Sequence, residues 1–491
     1  MKSTVHIEYI VGVKYPEWDE HTCYAPAKEY PEFFGKNILG DLSGQNEVYD
    51  MVRNTFLGLG MDREHFGTKE WNPFRDLIAA GQTVLVKPNM VCHKNGNASF
   101  GLDCLVTHPS LVRAVLDYVA LALDGSGRII LADAPVQSCD FGILVKELHY
   151  DRLVEHFRQK GITVELMDLR QLEEAYLKTT YEGAGFRDKS KEIVVNMGED
   201  SAFCNGKTEE NTAGKLRITN YLPEYMEEYH KKSVHKYAVA DAVLQAAVII
   251  NLPKPKTHRK AGMTASLKNM VGCVAKKECL PHHTQGSKKE CGDEYLEKSL
   301  FKKWRTKLEE KNDRLIAKGG KKSKAIGFLQ ILLYKAAKLR QADQYTEGSW
   351  YGNDTLWRTI CDICRIVMYA DKNGVMQKER QRKMLILADM IVAGEGEGPL
   401  CPRPKQVGML VGGWEQIAAD EIIASLMGFL PEKFPAVAKA GYGKTYRLPQ
   451  SEPTVSSNDA ALCGKTLQEI RGTVSPFIPT DGWKEWLEDS V

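Results

Sequence analysis

The sequence lacks several things, and each absence narrows the reading. No apolar run approaches the roughly 18 residues that a membrane-spanning helix needs. The opening stretch MKSTVHIEYIVGVKYPEWDE turns polar after a short apolar run, so an export signal is not expected and a cytoplasmic protein is. No C-x-x-C-x-x-C run of the ferredoxin type occurs, and neither does an internal repeat or a low-complexity segment. Charge of one sign is missing too. The 66 Lys and Arg nearly balance 64 Asp and Glu, and a net charge of +2 argues against a global nucleic-acid binder.

What is present is ordinary in bulk and uneven in detail. At 491 residues the chain exceeds what one core can serve, so two or three lobes are expected. Hydrophobic content of 43% and charged content of 26% suit a globular protein. The twelve cysteines are scattered and, without an export signal, read as reduced thiols. One C-x-x-C pair, Cys361 and Cys364, lies in TLWRTICDICRIVMYA. Leu356, Ile360, Ile363 and Val367 mark one face of a helix there. Packing is the expected role of these thiols, with a metal or redox pair as the alternative.

Along the chain, residues 1–75 form an irregular N-terminal segment that opens with the strand VHIEYIVGV. An α/β core occupies 76–290, with strands TVLVKPN, RIILADAP, TVELMDL and AVIINLP alternating with long amphipathic helices. KEIVVNM is a further candidate strand. This rhythm predicts a mostly parallel sheet with helices on both faces. A basic helical insertion follows at 291–350, in which Lys298 to Arg340 holds 14 Lys or Arg against three acidic residues. Its end, GFLQILLYKAAKLR, reads as a basic amphipathic helix with Phe328, Ile331, Leu332 and Leu339 on the apolar side. The core resumes over 351–430, and 431–491 is a Pro- and Gly-rich tail.

Parallel sheets bind ligands at the carboxyl ends of their strands. Three such ends carry suitable residues: Lys87 and Asn89 in VKPNMV, Asp133 and then Asp140 after RIILAD, and the stretch NLPKPKTHRKAGMTASLKNMVGCV. That stretch packs four lysines, Arg259 and His258 between Lys254 and Lys268. Lys254, Lys256 and Thr257 sit just past the strand. Met263, Leu267, Met270, Val271 and Val274 predict a helix starting near Gly262 and Thr264, whose free N–H groups would attract a carboxylate or phosphate. Lys268 lies at the edge of the buried stripe, where desolvation lowers basicity and suits nucleophilic chemistry. A solvated basic loop is the alternative. His282 and His283, with His258 and His93, are candidate metal ligands or acid/base groups. In AGEGEGP, Glu395 and Glu397 between glycines would face a cation or a substrate hydroxyl, with Asp389 and Asp420 nearby.

The stretches VLVKPNMV, THPSLVRAVLDYV, AAVIINLPKPKTHRKAGMTASLKNMVGCV, AGEGEGP and AADEIIASLMG together resemble the family of domain of unknown function 362, over roughly residues 80–430. The resemblance implies a cytoplasmic α/β protein, often labelled an iron–sulfur-centre protein. The ferredoxin cysteines behind that label are missing here. The spacing of His258, Gly262, Lys268 and the later histidines also resembles part of the nickel-pincer lactate racemase pattern. That likeness implies His258 as acid/base, Lys268 as covalent cofactor anchor and His282 or His283 as metal ligand, although VKPNMV stands where the racemase has an arginine motif.

The expected function is therefore an enzyme of unassigned reaction acting on a small anionic metabolite, with isomerase- or racemase-like chemistry or another metal-assisted reaction as the readings open to it. His258 and Lys268 are its expected catalytic pair. Lys87, Asn89, Asp133, Lys254, Lys256, Thr257, Thr264, Glu395 and Glu397 are expected to bind the substrate. A nickel, zinc or iron ion is a possible cofactor on His282 and His283. The alternatives are an iron–sulfur or other redox protein, and a binding protein whose 298–340 segment docks on a membrane surface or a protein partner.

Overall fold

The computed structural model describes residues 2–171, 191–204, 212–219, 223–317, 344–443 and 445–488, with single positions at 210, 221 and between 329 and 335. Its strands are β1 (Lys2–Tyr9), β2 (Thr83–Pro88), β3 (Arg128–Asp133), β4 (Val164–Asp168), β5 (Glu192–Asn196), β6 (Leu216–Arg217), β7 (His230–Lys231), β8 (Val234–Ala240), β9 (Val248–Leu252), β10 (Lys256–His258), β11 (Gly262–Thr264), β12 (His283–Thr284), β13 (Lys383–Glu397), β14 (Cys401–Gly413) and β15 (Glu452–Ser457). Ten of them form one sheet in the order β15-β1-β14-β13-β9-β2-β3-β4, with β10 on β13 and β11 on β10. From β13 to β4 every pairing is parallel. The β13–β14 and β14–β1 pairings are antiparallel.

The α/β rhythm produces this sheet because side chains alternate between its two faces. Leu85, Ile130, Ile249 and Ile386 belong to one core, together with the helices Leu356–Tyr369 and Gln416–Leu426. Their chain neighbours Val84, Val86, Leu131, Ile250 and Leu385 belong to a second core under the helices Glu47–Gly58 and Pro109–Leu123. A strand apolar on both sides is stable only when both faces are covered, and here they are. The expected α/β fold class is what the chain adopts. The expected strand KEIVVNM is β5, in a small sheet with β8 and β7. Both terminal segments contribute a strand at one side of the sheet: β1 pairs with β14 on one side and with the edge strand β15 on the other.

Two features differ from expectation. The stretch after β9 turns back as the β10–β11 hairpin, with His258 opposite Gly262, where a loop entering a helix was expected. Gly262 has φ +79°, and a Cβ there would strike the rings of Phe434 and Trp483, so the turn needs glycine. The helix itself begins only at Ser266 and tightens into a 3₁₀ turn at Met270–Cys273. Tertiary packing overrides the 3.6-residue pattern because the same apolar positions also serve a short hairpin.

Within the insertion a helix is present, as expected. Its described helix, Leu300–Ala317, is tied to the insertion's own return segment by Lys302 Nζ, which donates to the Tyr345 carbonyl at 2.7 Å, and by Arg305, which pairs with Glu347 at 3.2 Å, and it meets the body where Arg217 reaches Glu310 at 2.8 Å. The expected amphipathic helix GFLQILLYKAAKLR falls largely outside the described residues. No helix among the described residues is long and apolar enough to cross a membrane.

Candidate functional site

In the parallel run, β2, β3 and β4 extend to one side and β9 and β13 to the other, so the order reverses between β2 and β9. Crevices open outside strand ends at such points. A cavity of about 270 Å³ lies here, lined by Asn89, Asp133, Gln137, Lys256, His258, Arg259, Lys260, Thr264, Lys268, Asn269, Lys277 and His282 among others. Its wall carries five cationic side chains (Lys256, Arg259, Lys260, Lys268 and Lys277) and one carboxylate, Asp133.

The two histidines are held in opposite protonation patterns by their own loops. His258 Nδ1 accepts the N–H groups of Lys260 and Ala261, each at 3.1 Å, which builds the hairpin turn and leaves the proton on Nε2. His282 Nδ1 lies 2.8 Å from the Leu280 carbonyl, to which it must donate, so its Nε2 carries a lone pair. Neither Nε2 has a hydrogen-bond partner among the described residues. Burial holds both rings well below the usual histidine range, with Lys268 adding to the effect on each. The cavity therefore presents one imidazole N–H donor and one imidazole acceptor.

The lysines divide by partner. Lys256 Nζ donates to Asn89 Oδ1 at 2.7 Å and to the Leu105 carbonyl at 2.6 Å. Lys277 donates to the Ala134 carbonyl at 2.8 Å, and Lys260 to Thr219 at 3.2 Å. Lys268, half-buried, has no hydrogen-bond or ion-pair partner among the described residues. Burial lowers Lys268 to about 8, helped by Lys277 and Lys87. It also lowers Lys277 to about 8 against Asp133, and Lys260 to about 8 against Glu347. Burial works against ionisation of Glu347, but Lys260, Arg259 and Arg305 hold it down at about 2. Glu347 thus ties the insertion to the cavity's hairpin.

The back wall is a chain of amides. Asn269 Nδ2 donates to Asn251 Oδ1 at 2.8 Å, Asn89 Nδ2 donates to Asn269 Oδ1 at 3.0 Å, and Lys256 completes the series on Asn89. Asp133 reaches the cavity but is occupied: it accepts Lys87 Nζ at 2.8 Å, Ala134 N–H at 2.9 Å and Met90 N–H at 2.7 Å. A Cβ on Gly272 would come within 1.9 Å of its carboxylate, so glycine is needed for the close approach. Thr264 Oγ1 is buried without a partner on the same wall.

Of the expected residues, His258, Lys268, Asn89, Asp133, Lys256, Thr264 and His282 line the cavity, and the others have duties elsewhere. Lys87 is buried behind the wall in its ion pair with Asp133. Lys254 is fully buried 2.7 Å from Asp389 and from the Tyr15 hydroxyl. Thr257 donates to the Gly396 carbonyl at 2.7 Å. Glu395 and Glu397 accept the N–H groups of Ile478 and Asp481, at 3.1 and 2.8 Å, and so hold down the C-terminal tail. His283 sits in β12, off the wall, with Nδ1 buried and unpartnered. Asp140 caps the helix Phe141–Glu147. The expected anion at the helix start is the chain's own Asp420, which accepts from Ser266 and Leu267 N–H at 2.7 and 3.0 Å.

Sequence reasoning missed Asn251, Asn269, Gly272 and Lys277, whose convergence depends on which strands are neighbours. It named His93 as a candidate ligand but missed Cys92 and Cys139, with which His93 forms a second group. Their ligand atoms lie within 4.8 Å of one another, and this group could hold a metal ion. Cys361 and Cys364 are fully buried core residues; burial raises Cys361 to about 12, and Cys364 Sγ lies 3.3 Å from the Leu267 carbonyl.

The chain matches no curated protein. Among solved structures it is similar to that of a Thermotoga maritima protein, at 9% identity and a TM-score of 0.28, over 75% of this chain. The chain spans 56% of that protein's length. Residues 84–187 and 194–425, well over half of the chain and including every residue that lines the cavity, match the model described as "Domain of unknown function (DUF362)", and the protein belongs to that family.

Proposed function

We propose that the cavity is an active site that binds a small anionic metabolite, a carboxylate or a phosphate, and moves a proton on it. One observation carries this reading: His258 and His282 present a donor and an acceptor Nε2 to a chamber walled by five cations and one already neutralised acid. Like charges crowded together are destabilising until an anion enters. The bound anion's charge would raise the depressed basicity of Lys268 and both imidazoles, bringing them toward a range useful for general acid–base work. In this scheme the anion sits against Lys268, His258 Nε2–H donates to a substrate oxygen, and His282 Nε2 takes the proton.

The free lone pair on His282 supports a second reading, in which that nitrogen holds a nickel, zinc or iron ion and Lys268 anchors a cofactor. A bound metal would supply polarisation of a substrate oxygen. His283, turned into a separate strand pair, takes no part in it.

Both readings are tested by incubating the protein in D₂O with small 2-hydroxy and 2-oxo acids and their phosphorylated counterparts, and following proton washout by NMR. Exchange on at least one acid, lost in His282→Ala and His258→Ala, is expected. Calorimetric titration with malonate and inorganic phosphate should show binding that Lys268→Ala weakens by at least about tenfold. No exchange, together with no binding or binding indifferent to Lys268, would overturn the proposal.

A further inference from the structure

The thiol group stands apart from the proposed anion chemistry but adjoins the same cavity. Cys92 follows the end of β2 by four residues and Cys139 follows the end of β3 by six. Because β2 and β3 are parallel neighbours, both loops emerge at one edge of the sheet. Their residues Val91, Val136, Gln137 and Ser138 line the cavity. Backbone bonds already stitch the loops: Val136 N–H donates to the Val91 carbonyl at 3.0 Å, and Asp140 N–H donates to His93 Nδ1 at 2.9 Å.

We propose that Cys92, His93 and Cys139 bind a zinc ion that clamps the β2 and β3 loops together at the cavity's edge. Two sulfurs and an imidazole are a donor set that zinc favours over magnesium or calcium, which take oxygen ligands. Cys92 and Cys139 are buried, at 6% and 3% exposure, whereas His93 is partly open, so three protein ligands leave the fourth position facing solvent. Tetrahedral zinc with bonds of about 2.3 Å to sulfur and about 2.0 Å to nitrogen sets ligand atoms roughly 3.5–3.8 Å apart. Cys92 Sγ lies 4.0 Å from His93 Nδ1, which would exchange its bond from Asp140 N–H for the ion, and all three ligand atoms lie within 4.8 Å of one another, so closure shortens the separations by about 1.3 Å or less.

The second loop is held in place by a buried cation. Arg170, itself paired with Asp168, donates to the carbonyls of Val136, Gln137 and Cys139 at 3.0, 3.1 and 3.0 Å, fixing the second loop beside a guanidinium. On binding, both thiols release their protons to solvent, two S–Zn bonds and one N–Zn bond form, and the two thiolate charges neutralise the dication. No oxidant or reductant enters. The anion-binding reading is not required, since the site needs nothing in the cavity.

The test is metal analysis of the full chain, purified without chelator and then equilibrated with Zn²⁺ or, as a spectroscopic stand-in, Co²⁺. We expect a single ion per chain and a sulfur-to-cobalt charge-transfer band. Both should be lost in the Cys92→Ser/Cys139→Ser double variant and weakened at least about tenfold in His93→Ala. Circular dichroism should show those variants folded, and the partly exposed His93 gives the readout if the double variant is not. The His282→Ala variant should keep its metal. Zinc retained by the double variant, zinc lost only with His282, or a metal-free chain carrying a Cys92–Cys139 disulfide would each overturn the proposal.

Discussion

Lys254 and Lys268 come from one basic stretch, and the fold gives them opposite lives. Lys254 is wholly buried, and its ammonium meets the Asp389 carboxylate and the Tyr15 hydroxyl at 2.7 Å and the Val392 carbonyl at 3.1 Å. Asp389 in turn accepts Tyr15 O–H at 2.6 Å and His108 N–H at 3.0 Å, so the cluster is saturated. Lys268 is less buried yet less satisfied, with cations for neighbours and no described partner. A buried charge with every bond made is part of the structure, while one left short of a counter-ion is held ready for a ligand. Charge density along the sequence could not separate the two cases.

The largest effect should come from breaking the saturated side. Lys254→Met leaves Asp389 buried without its cation and should cost about 3 kcal/mol or more in a denaturant titration. A loss below about 1 kcal/mol would mean that the cluster is not the structural half of the comparison.

Next is the poised side. Lys268→Ala should weaken malonate or phosphate binding by about 1.5–3 kcal/mol, the worth of a charge-assisted bond, with no loss of stability. The pH dependence has a definite sign. Lys268, Lys260 and Lys277 are each lowered to about 8, so the cavity is most cationic below pH 8 and anion affinity should fall as pH rises through and above it. Stability runs the other way. The unfolded chain holds these protons up to the ordinary lysine range, so the free protein should gain stability from about pH 8 upward. Lys268→Met should remove part of that slope, measured as midpoint against pH.

The smallest effect concerns Thr264, whose buried hydroxyl finds no partner on the cavity wall. Thr264→Val should leave the free protein equally or slightly more stable, within about 1 kcal/mol, because no hydrogen bond is lost. The same variant should weaken anion binding if the hydroxyl serves the ligand. A destabilised but fully binding variant would move Thr264 to the structural side.

Much of this was legible without coordinates of any kind. Apolar strands alternating with amphipathic helices dictate a parallel sheet covered on both faces, because backbone polar groups and two apolar faces can be satisfied together only that way. The strand-end rule then led to a stretch whose His258, Lys256 and Lys268 line the cavity. Legibility failed at the hairpin, where Met263 and Leu267 fit a helical stripe and a turn equally well. It failed again at Glu395 and Glu397, whose backbone partners Ile478 and Asp481 lie more than 80 residues away.

The sequence by itself therefore determined the fold class, the strand that ends in the basic stretch and the surplus of positive charge there, since periodicity and composition are local properties. Tertiary structure alone decided which cation meets a carboxylate, which nitrogen of each histidine carries its proton, and that Cys92 and Cys139 share a corner. The reason is physical: pairing, burial and tautomer depend on distances across neighbouring strands, and strand order is set by long-range packing that no single segment encodes.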